Sequence, residues 1–149
     1  MAAAAWRLYA KAKEYIGDGT IQLGTQGFKM ALFRGSSNAS TLTLSTFSQL
    51  SAQASGGAYS AGGKFLVPSA GTWTLSGSTV TFDYTTLGIT FTASGSNISA
   101  IQYAVIYKNG LSASAKLLCW SKLSSSVFSV SDPNTLTVLP AATGVFTLT

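Results

Sequence analysis

The sequence predicts a mainly β protein, a β-sandwich or jelly-roll-like domain that carries one N-terminal α-helix. Three observations predict it. Apolar and polar residues alternate strictly in Val80-Thr81-Phe82-Asp83-Tyr84 and Ile89-Thr90-Phe91-Thr92, the period of a sheet with one wet face. From residue 63 onward, short β-branched and aromatic runs recur between Gly/Ser turn clusters, the rhythm of a sandwich or barrel. A single stretch of good helix formers opens the chain: alanines, Leu8, two lysines and Glu14, uninterrupted by Gly or Pro.

The helix is expected over residues 2–16, with Gly17 as its stop and Asp18-Gly19 as the turn that follows. Trp6, Tyr9 and Ile16 fall near one stripe of that helix, and Leu8, Ala12 and Tyr15 line an adjacent one. Strands are expected at 20–23, 28–33, 64–67, 72–75, 79–84, 89–93, 101–108, 115–123, 127–130, 136–139 and 145–149. The runs at 103–107 and 117–120 are apolar on both sides, so they belong at the centre of a sheet. Lys108-Asn109-Gly110 is the best hairpin signal, since Asn-Gly tolerates the positive φ of a type I′ turn. Residues 35–63 form an irregular Ser/Gly/Ala-rich loop region, within which 46–50 reads as a short helical turn capped by Ser45 or Thr46. No linker or fixed repeat divides the chain, which gives one domain over 1–149, with the sandwich at 20–149.

Composition removes chemistry. The 149 residues contain no histidine and one cysteine, so His-based triads, imidazole acid/base catalysis, His-containing zinc sites and intrachain disulfides are all excluded. Charged residues make up 9%, against about 25% in an ordinary soluble domain. Ser and Thr fill 40 positions, which fits hydroxyl-lined strand faces and turns. A chain with so few solubilising charges is poorly defended against association. The net charge is +5, but the nine cations are spread along the chain: residues 1–34 carry +3 and the remainder +2. Nucleic-acid binders concentrate their cations on one face, so nucleic acid is not the expected partner. The apolar start Met1-Ala2-Ala3-Ala4-Ala5 precedes the first basic residue, the reverse of a secretory signal, and no apolar run is long enough to span a membrane. The chain reads as made and used without export.

The motifs that invite chemistry each depart from what the chemistry requires. In the Gly-rich stretch 55–65, one residue too many separates Gly57 from Gly63-Lys64 for a phosphate loop, and Phe65 stands where the hydroxyl should be. Ala58-Tyr59-Ser60-Ala61-Gly62 approximates a nucleophile elbow, but no histidine exists to activate Ser60. Glu14, Asp18, Asp83 and Asp132 are accounted for by a helix surface, two turns and a wet strand face, which leaves no acid/base pair. Cys119, in Leu117-Leu118-Cys119-Trp120, reads as a small buried hydrophobe. Tyr59, Trp73, Tyr84 and Trp120 form either core or a sugar-stacking platform. No catalytic residue, cofactor or metal site is expected.

Three segments resemble small virion proteins of tailed bacteriophages. The first runs from Glu14-Tyr15-Ile16-Gly17-Asp18-Gly19-Thr20-Ile21-Gln22-Leu23 through Phe28-Lys29-Met30-Ala31-Leu32-Phe33. The second is Gly57-Ala58-Tyr59-Ser60-Ala61-Gly62-Gly63-Lys64-Phe65-Leu66 and the third Gln102-Tyr103-Ala104-Val105-Ile106-Tyr107. Order and spacing are similar over residues 6–110, while the C-terminal third matches only as generic strands. Such proteins typically carry Asp where this chain has Gln22, Thr25 and Gln26, so an acidic role at those positions does not transfer.

The resemblance implies a non-enzymatic capsid decoration (cement) protein, located on the virion surface after synthesis in the host cytoplasm. Its implied partners are the major capsid protein and further copies of itself in a homo-oligomer. A tail or fibre component that binds other tail proteins is the alternative, followed by a glycan-binding module. The expected partner-contact residues are Trp6, Arg7, Tyr9, Lys11 and Lys13, with Arg34 as a further cation, because interface hot spots favour Trp, Tyr and Arg. For Trp6 and Tyr9, roofing the sandwich is an equal alternative.

Overall fold

The computed structural model describes residues 4–110 and 114–149. In chain order the elements are β1 (Arg7–Leu8), α1 (Ala10–Gly17), β2 (Phe28–Arg34), a 3-10 turn (Phe47–Gln49), β3 (Lys64–Phe65), β4 (Thr72–Ser76), β5 (Thr79–Asp83), β6 (Ile89–Thr92), β7 (Ile98–Lys108), β8 (Leu117–Lys122), β9 (Phe128–Val130), β10 (Thr135–Val138) and β11 (Phe146–Leu148). The protein is mainly β and sandwich-like, with one helix near its N-terminus.

The helix is shorter than expected. Residues 2–3 lie outside the described residues, and residues 4–9 are not helical, with Arg7–Leu8 in a strand and Tyr9 extended. Arg7 and Leu8 pair antiparallel with Trp120 and Cys119, and the Tyr9 N–H donates to the Leu118 carbonyl at 3.1 Å. The ladder and the burial of Trp6 and Tyr9 outweigh the helical preference of the flanking alanines.

Residues 20–23 are turns, not the expected strand. Ile21 and Leu23 are still buried at alternate positions, so the period-2 pattern is real. The backbone here bonds locally: Ile21 N–H to the Tyr15 carbonyl at 2.8 Å, and Gln22 N–H to the Gln26 side-chain oxygen at 2.9 Å.

Strands β1, β8, β7, β2 and β3 follow one another in a six-stranded sheet, with β9 also paired to β7. The long β7 serves as its spine and is buried over most of its length. It starts three residues earlier than expected, because a register shift between Ile98 and Ile101, with Ala100 at φ 62, hides the alternation there. A three-stranded sheet has the order β11-β5-β4, and β10 pairs with β6 in a two-stranded one. The layers meet through aromatic contacts: Phe28 of β2 lies 5.4 Å from Phe82 of β5, and Tyr59 lies 5.8 Å from Phe91 of β6. The buried residues form one cluster.

Two strand faces are lined with hydroxyls. Thr74 stands opposite Thr81, which in turn stands opposite Thr147. Thr90 and Thr92 stand opposite Thr137 and Thr135, and the Thr90 and Thr137 hydroxyls lie 2.8 Å apart. Cross-strand threonine pairs of this kind stabilise a wet face.

The expected type I′ turn at Asn109-Gly110 does not form. Lys108 N–H donates to the Lys116 carbonyl at 2.8 Å, so β7 and β8 are joined by a longer loop, part of which lies outside the described residues, and Gly110 has no positive φ. The tight hairpin is instead β4–β5, where Ser76 faces Thr79 and Gly77 at φ 61 takes the first central position of a type II′ turn.

Residues 35–63 contain no strand, but they are tied down. Arg34 N–H donates to the Ala52 carbonyl and Ala54 N–H to the Leu32 carbonyl, each at 2.9 Å. The Asn38 side chain donates to the Gln49 carbonyl at 2.8 Å and accepts the Ser51 N–H at 2.9 Å. Thr46 is the N-cap of the short turn, and the Gln49 side chain accepts the N–H groups of Ser45 and Thr46.

Candidate interaction surface

The N-terminal segment divides by face. Trp6 is 7% exposed and meets Tyr84 edge to face at 6.5 Å; Tyr9 is fully buried and donates its hydroxyl to the Ala39 carbonyl at 2.6 Å. Burial pushes the Tyr9 and Tyr84 phenols well up from their ordinary range. Both expected aromatic anchors are therefore spent on the core, and what this segment offers outward is its cations.

Strand pairing assembles those cations with others. Arg7 lies opposite Trp120, and Lys122 lies opposite Tyr103, so the four share one face of the large sheet. The Arg7 guanidinium sits 5.7 Å from the centre of the Trp120 ring, within cation–π range. Tyr103 meets the same indole edge to face at 6.0 Å. Ala4, Ala5, Arg7, Trp120 and Lys122 line a hollow of about 250 Å³. Trp120 is largely buried, and its indole N–H has no acceptor. Farther along, the Tyr15 ring lies between two lysines, Lys11 at 5.7 Å and Lys116 at 5.3 Å. Lys11 is held by Glu14 at 2.6 Å, the only ion pair among the described residues; that contact raises the lysine's pKa. Arg7, Lys13 and Lys122 are exposed and have no carboxylate partner among the described residues. Arg34 is not part of this corner. It ends β2, and its guanidinium donates to the Ser55 hydroxyl while its Nε has no acceptor.

In the sequence Lys116 and Lys122 stand out only as neighbours of Cys119; Lys122 is over a hundred residues from Arg7 and the β1–β8 register brings those two together, while Lys116 joins Lys11 at Tyr15. The alternation in β8 was the available signal, since Trp120 and Lys122 must share a face.

The Gly-rich stretch is shaped by packing. Gly57 and Gly63 have φ of 54 and 72, and a Cβ on Gly63 would stand 1.9 Å from the Met30 carbonyl oxygen. The Tyr59 hydroxyl accepts the Leu32 N–H at 2.8 Å, and the segment runs into β3 rather than a helix. Tyr59, Ser60, Lys64, Phe91, Thr92 and Ile98 line a hollow of about 250 Å³. The Lys64 ammonium is anchored to the Thr90 carbonyl at 2.7 Å and lies 5.9 Å from the Phe91 ring.

The carboxylates of Glu14, Asp18 and Asp83 each have a local engagement. Glu14 holds Lys11. Asp18 accepts the Thr20 N–H at 2.8 Å, and hydrogen bonds from Thr20 hold its carboxyl below the ordinary range. Asp83 accepts the Tyr84 N–H at 2.8 Å, while burial raises its carboxyl. Asp132 occupies a turn where its N–H donates to the Asn97 side chain at 3.1 Å. Cys119 is fully buried, which pushes its thiol well up. The four aromatics considered for a sugar platform do not form one: Tyr59 packs on Phe91, Trp73 on Phe146, Tyr84 on Trp6 and Trp120 on Tyr103. Tyr84 and Trp120 are also buried.

No helix among the described residues is long and apolar enough to cross a membrane. No family model, curated protein or solved structure matches the chain.

Proposed function

We propose that the chain is a non-enzymatic structural protein of a tailed-phage virion, which binds the outside of the capsid and stabilises it as a decoration protein. Its partners in this reading are the major capsid protein and further copies of itself. The observation that carries the reading is the Arg7–Trp120–Lys122 corner. Two exposed cations flank a largely buried indole, and neither has a carboxylate partner among the described residues. Such a corner complements an acidic surface on another protein. The hydroxyl-lined faces support the same reading, since they supply contact area without charge.

The test is labelling of purified particles with an antibody to the chain, combined with Arg7→Glu and Lys122→Glu. Label on the head, with occupancy reduced at least about tenfold in the double variant and a melting temperature lowered by no more than about 4 °C through loss of the Arg7–Trp120 contact, is the expected result. Label on the tail with a bare head transfers the chain to the tail. Absence from particles ends the virion reading.

A further inference from the structure

The three-stranded sheet carries a surface of a different kind. β4 is one of its two outer strands. The two-residue turn makes Ser76 and Thr79 a hydrogen-bonded pair, and alternation along the ladder then directs the N–H and C=O of Trp73 and Leu75 away from β5, to the side where β4 has no neighbour. Gly24 stands against Trp73, where a Cβ added to it would lie 3.1 Å from the Trp73 Cβ. Leu75 has no such cover and is 66% exposed.

The outer edge of β2 shows how this chain guards an edge. Phe28 N–H donates to the Ser69 carbonyl, the Phe28 carbonyl accepts the Leu66 N–H, Leu32 N–H donates to the Tyr59 hydroxyl, the Leu32 carbonyl accepts the Ala54 N–H, and Arg34 N–H donates to the Ala52 carbonyl. Open edges are normally kept from pairing by charges, proline, a bulge or a covering segment. Thr72-Trp73-Thr74-Leu75-Ser76 contains no charge and no proline, and its register with β5 is unbroken.

Two further features favour a second copy as the occupant. Leu75, Val80 and Leu148 stand in one cross-strand row, and both leucines are exposed. Two copies at +5 each must also meet without facing cations. β4, β5 and β11 contain no Lys or Arg, and Asp83 is their one charged residue.

We propose that β4 is the self-association edge: two copies pair their β4 strands antiparallel about a two-fold axis at Leu75. Leu75 then faces the second copy's Leu75 and exchanges both outward backbone bonds with it, while Thr74 faces Ser76. The two sheets become one, and the apolar row runs unbroken across the junction. This pairing is isologous, so it closes at two chains. It deepens the self-association part of the reading above. Particle labelling decides the virion assignment, sedimentation of the free chain decides this one, and either can fail alone.

Sedimentation velocity of the purified full chain over a wide concentration range tests it. The expected result is a concentration-dependent dimer. Leu75→Lys places like charges directly opposite and is expected to weaken the dimer at least about tenfold. Leu75→Pro removes an N–H that the monomer leaves unpaired, a substitution an edge strand tolerates, and is expected to abolish pairing while circular dichroism keeps its strand signature. Leu75→Cys is expected to cross-link two copies on mild oxidation, a reaction from which the buried Cys119 is excluded. A chain that stays monomeric or forms a trimer overturns the proposal. So does a dimer unaffected by Leu75→Lys, a surface change that stands if the proline variant fails to fold.

Discussion

Tyr9 and Ala39, thirty residues apart, are joined by a 2.6 Å hydrogen bond from the Tyr9 hydroxyl to the Ala39 carbonyl, with both residues fully buried. That bond fastens the irregular segment to the N-terminal strap. Tyr9→Phe keeps the ring and leaves the carbonyl without its donor, which costs about 1–3 kcal/mol, whereas Tyr9→Ala, which also opens a cavity, costs about 3–5 kcal/mol. Chemical denaturation measures both, and a Tyr9→Phe protein as stable as the parent would mean that the hydroxyl contributes nothing.

Gly63 and Gly77 both have positive φ, but their surroundings differ. At Gly77 an added Cβ meets nothing within 4 Å, so Gly77→Ala costs only the backbone strain, about 1–2 kcal/mol. At Gly63 the same methyl would run into the backbone of β2, and a loss above about 4 kcal/mol is expected. A Gly63→Ala protein that melts as Gly77→Ala does would show that the loop relaxes away from β2.

Burial raises the Asp83 carboxyl, so its folded value lies above its unfolded one. Such a group contributes stability that is complete below the unfolded value and lost as pH rises through the folded one. Asp83→Asn is therefore expected to be more stable than the parent at neutral pH, with the advantage shrinking toward pH 3. Asp18, held low by hydrogen bonds from Thr20, has the opposite sign: its contribution is present above the unfolded value and fades as pH falls. Denaturation midpoints at several pH values compare the two, and an Asp83→Asn protein weaker at pH 7 would contradict the assignment.

The Cys119 thiol is fully buried, and burial raises its pKa, so it is expected to resist alkylation at neutral pH. Mass spectrometry should show modification at the rate at which β8 opens. Fast labelling of the native protein would mean that the pairing of Cys119 with Leu8 is loose.

Much of the strand content was legible because it lies in local alternation. Val80–Tyr84 and Ile89–Thr92 carry the period of a half-wet sheet in their own residues, and the structure has strands there. The misread elements have their causes in distant partners. Arg7 and Leu8 are extended because β8 pairs with them, not because of their own propensity. Ile21 and Leu23 alternate, yet they plug the core from a turn whose backbone bonds to Tyr15 and Gln26. The candidate site divides the same way: Arg7 could be named from residue type, but its union with Trp120 and Lys122 depends on a register the sequence does not state.

By itself the sequence determined the class of fold and the low, scattered charge, because period-2 patterning and composition are properties of neighbouring or summed residues. The tertiary structure alone decided which aromatics became core, which cations share a face, and which strand edges are guarded. Those outcomes depend on pairings between segments as much as 113 residues apart, where many registers satisfy the local pattern and only packing and hydrogen-bond satisfaction select one.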